Sequence, residues 1–145
     1  MKLKESIPAL PKKRAGIIPF YVDENGKIEM MLMVPSDPKF GGEKFQIAKG
    51  EIDQGESVKG AAYREGKEEL GLKPSNISAS YTSGSYFGGK FTVFAVLIKN
   101  KSDFSPFGSE TGAVKWMNWR EVYAGARKEQ MKMIVDAYRL IKTKI

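Results

Sequence analysis

The sequence contains no cysteine and no histidine. Without cysteine there is neither a disulfide framework nor a thiolate metal site. Without histidine there is no imidazole base, which excludes Ser-His-Asp and Cys-His catalysis. Any bound metal must then be held by oxygen, which favours Mg²⁺, Mn²⁺ or Ca²⁺ over zinc. Nor is there an apolar run approaching the roughly 20 residues that span a bilayer. The opening Met1-Lys2-Leu3-Lys4-Glu5 leads into Pro8 and Pro11 and lacks the apolar core of a signal peptide. The expected address is the cytoplasm, with no membrane partner.

The residues that are present suit a folded chain. At 145 residues, 41% hydrophobic and 28% charged, the sequence reads as a single domain with a self-sufficient core. Lysine and arginine number 24 against 17 acidic residues, a net charge of +7. A surplus of that size suits polyanionic ligands such as phosphates or nucleic acid, without naming one. Much of it lies at the ends, where residues 1–13 form a basic N-terminal arm and Lys128, Lys132, Arg139, Lys142 and Lys144 follow at the far end.

Apolar stretches Arg14 to Val22 and Lys27 to Pro35 flank Asp23-Glu24-Asn25-Gly26, a hairpin signal. Pro38, Gly41 and Gly42 mark a loop before a short strand-like Phe45-Gln46-Ile47. Ser57 to Leu70 reads as a helix that Gly71 terminates. Strands are expected over Ile77 to Tyr86, Lys90 to Asn100 and Val114 to Trp119, and a closing helix over Gln130 to Lys142. In that last helix Met131, Ile134, Val135, Tyr138 and Ile141 share one face, leaving Met133 and Leu140 on the other, toward the N-terminal arm or another subunit. The pattern predicts an α+β domain, a mixed sheet between helices. Oligomeric state is open between monomer and homodimer. Gly84 to Lys90 has P-loop glycine-lysine spacing, but Phe91 follows where Ser or Thr is needed, and a strand where a helix is needed.

The densest chemistry lies between Gly50 and Leu72. Glu65, Glu68 and Glu69 stand at i, i+3 and i+4, within one arc of about 100° on the helix. Like charges so placed repel by a few tenths of a kcal/mol per pair, a cost that a hard dication converts to attraction. The whole span, with Gly50, Glu56, Arg64-Glu65, Glu68-Glu69 and Gly71-Leu72 at fixed separations, resembles the Nudix box. Gly66 departs from it, standing where that family carries a bulky aliphatic residue.

The resemblance implies an α/β/α sandwich and a hydrolase of nucleoside diphosphate-linked substrates that uses Mg²⁺ or Mn²⁺. It implies Glu65, Glu68, Glu69 and the Gly50 carbonyl as metal ligands, and an Arg64–Glu56 pair fixing the loop against the helix. The base is Glu68 or, from a later loop, Glu110. Lys49, just before the box, is placed to meet a phosphate. The segment Phe45-Gln46-Ile47-Ala48-Lys49-Gly50 is similar to Trp-x-x-Pro-Lys-Gly of diadenosine tetraphosphate hydrolases, and Arg14-Ala15-Gly16 to their opening. Arg14 and Phe45 are accordingly candidate substrate contacts, and Tyr81 and Tyr86, aromatics near these loops, are candidates to stack a base. A dinucleoside polyphosphate is the leading substrate. The alternatives are an RNA 5′-triphosphate, for which Gln46 and the basic ends speak, and a non-catalytic nucleotide- or RNA-binding module on the same fold.

Overall fold

The computed structural model describes residues 12–40 and 42–145. Most of the basic arm, residues 1–11, lies outside them. Six strands form one sheet: β1 (Arg14–Val22), β2 (Ile28–Pro35), β3 (Ala48–Glu51), β4 (Ile77–Tyr86), β5 (Phe91–Ile98) and β6 (Thr111–Met117). Three α-helices accompany them: α1 (Val58–Leu70), α2 (Trp119–Gly125) and α3 (Met131–Lys144). The sheet order is β4-β5-β1-β2-β6, with β3 also paired to β1. β1 runs parallel to β5 and antiparallel to β2 and β3, so the sheet is mixed. No helix of the described residues is long and apolar enough to cross a membrane.

Strand alternation builds the three layers. Along β1, Ala15 and Ile17 face one side while Ile18 and Phe20 face the other. β5 repeats the arrangement, with Phe94, Val96 and Ile98 on the first side and Phe91, Val93 and Ala95 on the second. Helix α1 covers the first side through Ala61, Ala62 and Leu70, and α3 covers the second through Met133, Ile134, Ala137 and Ile141. Burial on both faces is why these strands read as nearly unbroken apolar runs. Each buried aliphatic side chain contributes about 1.5–3 kcal/mol.

Three expectations change. Met133 belongs to the core, because the buried stripe of α3 is centred on Ile134 and Ala137 and reaches Met133 as well. The strand expected at Phe45–Ile47 forms at Ala48–Glu51, where an unbroken antiparallel ladder to β1 exists. Phe45 and Gln46 instead make single bridges to different partners, Ala126 and Met33. Trp119 does not end β6; it opens α2, which the sequence reading omitted. Gly66, the departure from the box, is explained by packing. A Cβ there would lie 3.0 Å from Ile17 Cγ2 and 3.1 Å from Leu72 Cδ2, so α1 sits too close on β1 for a bulky residue. Leu72 fills that space, its N–H donating to the Gly66 carbonyl just past the left-handed Gly71 (φ 74°).

Candidate active site

Helix α1 begins with Ser57, whose hydroxyl accepts the Gly60 N–H at 2.9 Å. The loop before it is tied down by Arg64, about two turns further in. Its guanidinium donates to both Glu56 carboxylate oxygens, at 2.8 and 3.0 Å, and to the Glu51 carbonyl at 2.9 Å. A planar fork meeting a carboxylate in this way fixes orientation as well as charge. The Arg64 hydrogen bonds hold the Glu56 carboxyl below its usual range. Arg64 also donates to Glu65 Oε1 at 2.8 Å and more loosely to Glu68 Oε2 at 3.5 Å.

Glu65 and Glu69 are 7% and 9% exposed, unusual for carboxylates. They lie close enough to interact directly. Burial raises both above the ordinary carboxylate value, Glu69 to about 8, with the Glu65 charge adding to the effect. The Lys49 N–H donates to Glu69 Oε1 at 3.1 Å and partly offsets this. Gly50 packs so closely against the Glu65 carboxylate that a Cβ there would overlap it. Burial, then the nearby Arg14, lowers the proton affinity of the Lys49 ammonium. Glu68 is more exposed, on the outer side of the helix end.

The segment after β5 anchors to the C-terminal turn of α1. Gly108 N–H donates to the Glu68 carbonyl at 2.7 Å, the Thr111 hydroxyl to the Glu69 carbonyl at 2.8 Å, and Ser105 N–H to the Gly71 carbonyl at 2.8 Å. Ser36 N–H donates to the Glu110 carbonyl at 2.9 Å. Glu110 thereby joins Glu68 and Glu69 on a cleft of about 220 Å³. An adjoining cleft of about 270 Å³ is shared by Lys49, Glu69, Glu110, Gln46, Ile47 and Phe40. Phe40 is 71% exposed at its edge.

The other candidates lie elsewhere. Tyr81 and Tyr86 pack against the α3 side of the core, away from both clefts. Tyr86 donates to Asp136 Oδ2 at 2.7 Å, and burial with that partner keeps the phenol protonated well above its usual range. Phe45 is turned into the same core. Arg14 is exposed at the start of β1, paired across to Glu51 beside Lys49. The sequence reading passed over Gln130 and Arg127. Buried Gln130 accepts the Ile47 N–H at 2.8 Å and so sets the approach to β3. Arg127 is near enough to act on Lys49. Neither belongs to a motif; both are assembled by the fold.

The NUDIX domain family model matches residues 11–138. The chain belongs to the Nudix family. The expected class, a hydrolase acting on nucleotide derivatives, stands with it. No curated protein matches the sequence. Among solved structures, the Ap4A hydrolase binary complex from C. elegans has a TM-score of 0.71 at 23% identity, covering 92% of this chain and 100% of that one. The NUDIX domain of Shewanella oneidensis NrtR, complexed with ADP ribose, has a TM-score of 0.67 at 16% identity, covering 94% and 92%. The Nudix hydrolase RenU from M. smegmatis has a TM-score of 0.66 at 16% identity, covering 92% and 85%. At these identities the likeness is one of fold, the α/β/α sandwich.

Nudix hydrolases generally use divalent metal ions. Among the described residues, no three acidic side chains converge on one point as placed. The donor set nevertheless fits a hard dication. It is all oxygen, its two inner carboxylates are buried side by side and resist ionising together until a cation is supplied, and bare Gly50 lets the Glu65 carboxylate lie against its backbone. Exposed Glu68 has only a long contact to Arg64 to give up.

Proposed function

We propose that this Nudix protein is a metal-dependent pyrophosphohydrolase, acting in the cytoplasm on a nucleoside diphosphate-linked substrate, with a dinucleoside polyphosphate as the leading candidate. One observation carries the reading: Glu69, buried beside Glu65, borders one cleft together with Lys49 and Glu110, and that cleft ends at an exposed aromatic ring. Glu65, Glu68, Glu69 and the Gly50 carbonyl would hold Mg²⁺ or Mn²⁺. When bound, the ion neutralises charge on the phosphate oxygens and favours deprotonation of water.

The protein's own groups do the rest. Lys49 supplies positive charge where the phosphate chain must pass. Arg64 and Glu56 keep the loop from drifting off the helix, and so hold Glu65 in place without touching substrate. Either Glu68 or Glu110 takes the proton from the attacking water, since both face the 220 Å³ cleft. Phe40 offers a face for a base to stack on, typically worth about 1–3 kcal/mol.

The exposed cations Arg139, Lys142 and Lys144 along α3 favour the second reading, a 5′-triphosphorylated RNA substrate. The test is product release from a substrate panel with Mg²⁺, Mn²⁺ or excess chelator. Turnover of a dinucleoside polyphosphate that stops in chelator is expected. Full turnover in chelator overturns the metal-dependent reading, and preference for RNA selects the second.

A further inference from the structure

A third cavity, of about 340 Å³, lies beside the catalytic cleft, bordered by Lys44, Tyr123, Arg127, Lys128 and Glu129. We propose that it is a second nucleotide subsite, taking the distal phosphates and nucleoside of a dinucleoside polyphosphate whose other half occupies the Glu69 cleft. The inference deepens the hydrolase reading and rests on it.

Contiguity is the first argument. Lys44 borders this cavity and Gln46 borders the catalytic cleft. Lys44 stands at a bend two residues before Gln46, and two residues of chain span at most about 7 Å, so the two cavities open close together. Phe45, between them, is clamped by the backbone: its N–H donates to the Gly125 carbonyl at 2.9 Å and its carbonyl accepts from Arg127 N–H at 2.8 Å. The partition between the two cavities is therefore rigid, and Arg127 stands at it, within electrostatic reach of Lys49. A phosphate chain leaving Lys49 meets positive charge on both sides of that partition.

Composition is the second argument. Three cations border the cavity against one carboxylate, Glu129, which pairs with Arg127 at 3.4 Å and leaves Lys44 and Lys128 in excess. Tyr123 is 74% exposed, and among the described residues its ring stacks on no other. A sequence-tolerant aromatic face beside unmatched cations is what a nucleoside with its phosphates requires.

The test compares a dinucleoside tetraphosphate with ADP-ribose, which lacks a second nucleotide, in wild type, Tyr123→Ala, Tyr123→Phe and Lys44→Ala/Lys128→Ala. For Tyr123→Ala the KM for the dinucleotide is expected to rise about tenfold or more, the size of one base–aromatic stack, with kcat little changed. ADP-ribose kinetics should stay within about twofold, and Tyr123→Phe should restore the dinucleotide KM. The lysine double variant should raise the dinucleotide KM and make it less salt-dependent. Equal effects on both substrates, or none on either, overturn the subsite. A 5′-triphosphorylated oligonucleotide losing as much as the dinucleotide overturns its assignment to dinucleoside polyphosphates. If the wild type turns over no nucleotide, the hydrolase reading fails. Titration with ATP then still decides the subsite: tighter binding by wild type than by Tyr123→Ala sustains it, and equal affinity overturns it.

Discussion

Replacing Glu69 by glutamine should stabilise the protein at alkaline pH whenever divalent metal is withheld. Glu69 holds its proton up to about pH 8 in the folded protein, whereas an unfolded glutamate releases it near 4.5. Between those values the folded state binds the extra proton, so stability is full below about 4.5, declines as pH rises, and is lost above about 8. The displacement from 4.5 to about 8 sets a ceiling of roughly 5 kcal/mol on that loss. Coupling to Glu65, across which the proton is distributed, reduces the expected effect to ~1–3 kcal/mol. For a chain of this size that is about 2–10 °C in Tm. Melting in chelator should show the wild type falling progressively below Glu69→Gln from pH 5 to pH 9. Taking the difference between the two proteins cancels other titrating groups that they share. Adding Mg²⁺ should reverse the order at pH 9, because an ion that binds only the folded wild type raises its stability by mass action. Parallel melting curves across the pH range, or equal Mg²⁺ shifts in both proteins, would refute the buried-charge account.

Four further outcomes follow from the same geometry. Glu69→Gln should lower kcat by about 10²-fold or more in saturating Mg²⁺, as loss of a principal electrostatic stabiliser does, whereas Glu110→Gln, if Glu110 is the base, should lower kcat with Mg²⁺ affinity unchanged; steady-state kinetics with metal titration reads both. Gly66→Leu should cost about 1–3 kcal/mol by overpacking against Ile17 and Leu72, while Gly66→Ala should stay within about 1 kcal/mol of wild type because helix propensity offsets the crowding; urea titration distinguishes them. Tyr86→Phe should lose about 0.5–1.5 kcal/mol with its hydrogen bond to Asp136, yet leave kcat/KM unchanged, which separates a core role from a substrate contact. Gly50→Ala should displace the Glu65 carboxylate and weaken Mg²⁺ binding, measured calorimetrically, more than it lowers Tm.

The box was legible because its spacing is local. Ser57, Arg64, Glu65, Glu69 and Gly71 lie on one helix and its caps, where sequence separation translates directly into geometry. The Asn25-Gly26 turn was legible for the same reason, and Gly26 takes the left-handed conformation (φ 81°). Partners distant in sequence were not. Gln130 reaches Ile47 across the fold, and Arg127 reaches Lys49 only because Phe45 bridges to Ala126. Tyr86 and Asp136 meet through packing of α3 on the sheet, a pairing fifty residues apart that the sequence does not display. Helix α2 did carry a local signal that was overlooked. Asn118 and Glu121 form a reciprocal capping box, and the pattern Asn-x-x-Glu was visible in the sequence.

The loop between Ser105 and Thr111 has a mechanical consequence. The end of a helix ordinarily frays, because its last carbonyls lack partners within the helix. Glu68 and Glu69 sit in such an end, yet three donors from a segment some forty residues downstream splint it. Fraying there is coupled to release of the 105–111 segment, so the two glutamates and Glu110 share one opening event. A nick in that loop should loosen the carboxylates well before it melts the sheet. Hydrogen exchange at Gly108 should then report the order of the catalytic helix end from the far side of the chain.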